Sequence, residues 1–153
     1  MKLSVRGEYA LRALQVLAQH AGDAVVPMQT IATEQNIPRR FLEQILHGLK
    51  AAGVVESRRG ITGGYRLARP ASEIPLATII RHVDGALAPL SCVSHQFYEK
   101  CSCPDEARCA LRSVMKEVRD TVAAMMERMT LADLVARAET LQAQPMEPVD
   151  FVI

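Results

Sequence analysis

All four cysteines of this 153-residue chain fall in one stretch, CVSHQFYEKCSCPDEARC, from Cys92 to Cys109. Whatever the thiols do together, this stretch must fold back on itself as a loop, which limits the fold more than any other feature. The spacing is Cys92-x8-Cys101-x1-Cys103-x5-Cys109. A zinc ribbon shows two CxxC knuckles, and neither is present. The CxxC of dithiol redox sites is missing, as is the C-x2-C-x2-C-x3-C run of bacterial ferredoxins. Thiolates are soft donors that suit zinc, copper(I) or iron–sulfur centres. The wide, uneven spacing fits a loop wrapped round something larger than a single ion. Unligated thiols in a flexible loop are the plainer alternative.

The chain around this loop is globular in composition, with 49% apolar and 23% charged residues and few aromatics, which favours helices. Its net charge of +1 conceals an asymmetry. Residues 1–70 carry ten basic and five acidic side chains, and residues 71–153 carry eight and twelve. A basic front half points to a polyanionic partner. No apolar run approaches a membrane span and the first residues do not resemble a signal peptide. A cytoplasmic protein with reduced thiols is therefore expected, and clustered cysteines there mean metal or redox chemistry rather than a disulfide scaffold.

Ser4 can cap a helix over residues 5–20, with Val5, Tyr9, Leu11, Leu14, Leu17 and Ala18 at helical spacing and Gly22-Asp23 as its stop. Glu8 falls in the first turns, where the helix dipole favours an acid. A short helix from Pro27 to Gln35, a turn at Asn36-Ile37 and a longer helix from Pro38 to Ala52 give a helix-turn-helix layout. Ile31, Ile37, Phe41, Leu42, Ile45, Leu46 and Leu49 supply its buried face, and Gly53 its stop. Val54–Ser57 and Tyr65–Ala68 flank the glycine-rich turn RRGITGG, which predicts a β-hairpin and hence a winged helix.

Arg39, Arg40, Glu43, Gln44 and His47 are the candidates for the major groove, with Arg58 and Arg59 reaching phosphates or the minor groove from the wing. Glu43 suits discrimination between bases more than affinity, because phosphates repel it.

Pro75 opens a further helix carrying Leu76, Ile79, Ile80 and Val83, which Gly85 stops. A long helix is expected from Pro104-Asp105 to Met129, with Cys103 and Cys109 at its positive end. Its stripe of Leu111, Val114, Val118, Val122, Met125 and Met129 is most economically covered by the same helix of a second copy. Thr130 and Asp133 make a capping box for a last helix, before a tail from Gln142. The expected fold is mainly α: a winged helix-turn-helix DNA-binding domain (1–84), a cysteine loop (85–103), dimerisation helices (104–141) and a tail (142–153).

Several stretches together resemble the IscR/NsrR family of bacterial winged-helix regulators. They are MKLSVRGEYALRAL at the start, FLEQIL at 41–46, SRRGITGGYRL at 57–67, IIRHVDG at 79–85 and the cysteine loop before the long helix. The resemblance implies a homodimeric transcription factor, and in several members an iron–sulfur cluster that senses cluster supply, iron, nitric oxide or redox state. It implies Cys92, Cys103 and Cys109 as ligands, the last two at the family interval. The first interval is longer here and Cys101 is additional.

The fourth ligand distinguishes the branches. A histidine ligand of the cluster-assembly branch aligns with Arg112, which cannot ligate while protonated, and that of a redox-sensing relative aligns with Thr33. The acidic ligand of the nitric-oxide-sensing branch, supplied by the other subunit, aligns with Glu8; His95 and Cys101 compete with it. A 4Fe-4S cluster is the preferred cofactor, with 2Fe-2S as the other form. Recognition residues carried over by position are Glu43, Gln44 and Arg59. A winged-helix regulator using zinc or a thiol switch is the alternative. The sequence has no nucleophile–base pair or phosphate loop, which speaks against an enzyme.

Overall fold

The computed structural model describes residues 3–20 and 24–144. The expected stop at Gly22-Asp23 and the tail from Pro145 lie outside them. Six helices and one hairpin follow in order: α1 (Val5–Gln19), α2 (Met28–Gln35), α3 (Arg39–Ala51), β1 (Val55–Arg58), β2 (Gly64–Leu67), α4 (Leu76–Val83), α5 (Ala110–Arg128) and α6 (Leu131–Ala143).

The first helix is the centre of the packing. Ser4 caps it, its Oγ accepting the Gly7 backbone N–H at 3.0 Å. Asp84, just past α4, accepts both the Ser4 backbone N–H at 2.9 Å and its hydroxyl, so the cap is pinned from the outside. Ala10, Ala13, Leu14 and Val16 are fully buried. The alanines let α2, α3, α4 and α6 close in on several sides of α1. Leu42, Leu46 and Leu49 of α3, Ile79 of α4 and Leu131 of α6 complete one continuous core. Each such side chain contributes about 1.5–3 kcal/mol on burial.

The helix-turn-helix follows the expected plan. Pro27 and Pro38 each sit one place before their helix, and Asn36 makes the turn in the left-handed region at φ 50°. Phe41 departs from expectation: it is about half exposed. At ~100° per residue it lies about a quarter turn from the centre of the stripe formed by Leu42, Ile45, Leu46 and Leu49. The strands pair antiparallel, Val55 with Leu67 and Arg58 with Gly64. Val26 forms an isolated antiparallel bridge to β2, exchanging backbone hydrogen bonds with Tyr65 at 2.8 and 2.9 Å. Gly64 permits this approach, since a Cβ there would stand 2.4 Å from the Val26 carbonyl oxygen.

The long helix begins later than the sequence pattern predicts. Asp105 accepts the backbone N–H groups of Ala107 and Arg108, closing a separate local turn. The helix itself starts at Ala110, with Cys109 as its cap. Of the two cysteines placed at its front, only Cys109 is there; Cys103 lies in the preceding loop. Along α5, Leu111, Val114, Val118 and Met125 are substantially exposed. The capping box forms as expected, and α6 runs to Ala143, past the anticipated tail start at Gln142. Among the described residues no helix is long and apolar enough to cross a membrane.

Candidate nucleic-acid interface and cysteine site

The buried stripe of α3 decides which side chains face out. With Leu42, Ile45, Leu46 and Leu49 committed to the core, Arg40, Glu43, Gln44 and His47 are exposed on the outward side of the helix and Arg39 is exposed at the flank of the buried stripe. The hairpin lies beside them. Arg58 ends β1 and Arg59 stands in the turn, both exposed, while Ile61 at the tip is wholly exposed. Glu56 and Arg66 pair across the strands at 3.0 Å and stiffen the wing.

Lys50, at the end of α3, donates to the Ser57 hydroxyl at 2.6 Å and ties helix to wing. In the sequence only its position in the last helical turn before Gly53 marks it. His82 of α4 lies 2.9 Å from the Gly48 carbonyl oxygen, bracing α3 from behind. The result is a braced face carrying Arg39, Arg40, Arg58 and Arg59. Such guanidinium groups can contact phosphates directly and read guanine edges in a bidentate manner.

The cysteines meet at the N-terminal end of the long helix. Cys92 sits in a short 3-10 turn, Ser91–Val93, and is buried. Cys109 caps α5, its Sγ accepting the Arg112 backbone N–H at 3.4 Å. Cys101 and Cys103 are joined as a disulfide, leaving Cys92 and Cys109 as free thiols. All four line one recess of about 410 Å³, together with Glu99, Lys100 and Arg112.

Among the described residues no group of three or more His, Cys, Asp or Glu side chains is arranged around a single metal position. With the Cys101–Cys103 pair reduced, the recess offers four soft sulfur donors beside a helix N-terminus. That donor chemistry fits zinc or an iron–sulfur centre.

Two arginines of α5 hold the Cys92 turn. Arg112 donates through Nε to the Cys92 carbonyl at 3.2 Å and pairs with Glu106 at 3.0 Å. Arg119, nine-tenths buried, donates to the Val93 carbonyl at 2.5 Å and to Asp120. Tyr98 donates its hydroxyl to both Glu106 carboxylate oxygens, at 2.8 and 3.0 Å. That hydrogen bond, and secondarily desolvation and the adjacent carboxylate charge, raises the Tyr98 pKa above the ordinary phenol value.

The other candidate ligands lie outside the recess within one chain. Glu8 projects from α1 and pairs with Arg12 at 3.1 Å. His95 is exposed, 4.0 Å from Asp120, and lines a separate small recess that includes Arg119.

A family model described as Rrf2, "Iron-dependent Transcriptional regulator", matches residues 3–137. A Rhodobacter capsulatus protein named as an rrf2-like HTH-type transcriptional regulator is 40% identical over 133 residues, covering 84% of this chain and 89% of its own. Two solved structures share the architecture. IscR of T. potens has a TM-score of 0.74 at 31% identity, over 95% of this chain and 94% of its own. CymR (YrzC), described as the global cysteine regulator of B. subtilis, has a TM-score of 0.76 at 30% identity, over 90% and 98%.

Proposed function

Because this chain belongs to the Rrf2 family of transcriptional regulators, we propose that it is a cytoplasmic, homodimeric regulator, most simply a repressor, whose grip on promoter DNA is set by an iron–sulfur cluster held in the cysteine recess. The observation that carries this reading is the convergence of all four cysteines on one recess at the head of α5. Cys92, Cys103 and Cys109 are the ligands, Cys101 stands by as a further thiolate, and Glu8 of a second copy is the oxygen donor. A 4Fe-4S form suits three or four thiolates with one carboxylate; 2Fe-2S needs the same thiols. When bound, such a group supplies a centre that reacts with nitric oxide, oxygen or reductant.

The chain's own residues carry the signal onward. The exposed stripe of Leu111, Val114, Val118 and Met125 on α5 provides the surface on which two copies pair. Two α3 helices and two wings then address two half-sites of the operator. Arg39, Arg40, Arg58 and Arg59 hold the duplex, and Glu43 and Gln44 discriminate among base pairs. A change in the loop that moves α5 changes the spacing of the paired heads, which is linkage between two sites.

Anaerobic purification followed by iron, sulfide and visible-absorbance measurement tests this reading, with promoter binding compared between holo and apo forms. Expected are a coloured protein with matched iron and sulfide and a holo–apo difference in affinity. A colourless protein without iron or sulfide overturns it. A second reading, a thiol switch, is favoured by the Cys101–Cys103 pair. Reversible oxidation that alters DNA affinity without any metal would select it, and zinc without sulfide would select a zinc site.

A further inference from the structure

The geometry points to Arg112 and Arg119 as a positioning pair that sets the cysteine recess by gripping two successive backbone carbonyls. The turn Ser91–Val93 packs against the long helix with Cys92 and Val93 buried. Its carbonyls at Cys92 and Val93 point to α5, and each receives a guanidinium from that helix. Arg112 and Arg119 are two turns apart on α5, so they stand on the same face of the helix.

Neither arginine is an incidental surface cation. Arg119 is the one charged side chain of the described residues buried to nine-tenths, and its charge is met by Asp120 at 2.7 Å. Arg112 is only about one-fifth exposed, as is its partner Glu106. Glu106 is in turn fixed by the Tyr98 hydroxyl. Arg112 thereby joins three separate pieces of the loop: the Cys92 turn, the Tyr98 segment and the residues just before Cys109.

The geometry of a guanidinium explains the choice of residue. Arg112 meets the Cys92 carbonyl and the Glu106 carboxylate through one donor, Nε, which lies one atom nearer the backbone than a lysine ammonium would. Arg119 uses the fork itself, Nη1 to the Val93 carbonyl and Nε with Nη2 to Asp120. Because α5 also carries the exposed apolar stripe, the pair transmits displacement of the Cys92 turn directly to that helix. Arg112 thus acts through the backbone of a cysteine and is itself no ligand. This inference deepens the proposed function but stands on contacts that exist without any bound group.

The test is thiol labelling of the full-length, reduced, metal-free chain with iodoacetamide, read peptide by peptide. Arg112→Ala and Arg119→Ala should each speed alkylation of the buried Cys92 about tenfold relative to Cys109, because local opening no longer breaks the carbonyl contacts. Arg112→Lys should restore only part of the protection. Unchanged Cys92-to-Cys109 ratios in both alanine variants, with native circular dichroism, overturn the inference.

If Arg119→Ala unfolds the chain, Arg112→Ala and Glu106→Gln decide it, since both sites lie outside the apolar core. Glu106→Gln should give an intermediate Cys92 rate, and no change in either variant overturns the pair. After iron–sulfur reconstitution, Arg112→Ala should shift the visible circular dichroism of the wild-type protein, and an identical spectrum also counts against the pair. A wild-type chain that takes up no cluster refutes the proposed function alone; the labelling result still judges the arginines.

Discussion

Arg12 of the first helix reaches the last turn of the second, where it donates to the Gln35 backbone carbonyl and, at 3.3 Å, to its side-chain oxygen. The same guanidinium pairs with Glu8 at 3.1 Å and stands over the Tyr9 ring. The candidate oxygen ligand and the first element of the helix-turn-helix therefore share one arginine. Glu8→Ala should leave the Arg12–Gln35 contact in place while altering the visible spectrum or the lability of the reconstituted protein. Spectra and bleaching rates identical to wild type would remove Glu8 from the ligand set.

Arg59 lies in the wing turn, exposed and without an ion pair among the described residues. Arg59→Ala should weaken promoter binding and lower the slope of log affinity against log salt by about one. Fluorescence anisotropy across a salt series measures both. An unaltered slope would mean that the wing makes no phosphate contact.

Glu43 lies on the outward face of α3 among arginines. Glu43→Ala should raise affinity for unrelated duplexes while costing about 1–3 kcal/mol of discrimination at one base pair of the true operator. Competition binding with single-base operator variants reports it, and parallel losses at every position would contradict this role.

Asp133 titrates below the ordinary aspartate range, held there first by the Thr130 backbone N–H and then by its hydroxyl. A carboxyl with a depressed folded pKa stabilises above its unfolded pKa and loses that contribution as pH falls through the folded one. The melting-temperature gap between wild type and Asp133→Asn should thus be full at neutral pH and shrink in strong acid, below the ordinary aspartate pKa. Replacing the cap itself, Thr130→Ala, should cost about 1 kcal/mol.

The α5 stripe gives a separate test of assembly. Val114→Asp and Val118→Asp should shift sedimentation from dimer to monomer while leaving the head folded, because neither residue belongs to the core. By contrast Leu46→Ala, wholly inside it, should cost about 2–5 kcal/mol in denaturant unfolding. Retention of the wild-type sedimentation coefficient in both aspartate variants would rule out the stripe as the pairing surface.

What the sequence determined by itself is local. Serine and threonine caps, glycine and asparagine turns and the periodicity of α3 are short-range chemistry, so Ser4, Asn36, Thr130 and the exposure of Arg39, Arg40, Glu43 and Gln44 were legible from residue type and spacing. Phe41 and the start of α5 were not. Each depended on a competitor that spacing does not display: a stripe centred elsewhere on α3, and the turn closed by Asp105. Only tertiary structure decided that Cys92 and Cys109 share one recess, that Arg112 and Arg119 grip the turn between them, and that Lys50 joins α3 to the wing. Those contacts bring together residues remote in sequence, or set by how far a side chain must reach, and their geometry exists only once the core has packed.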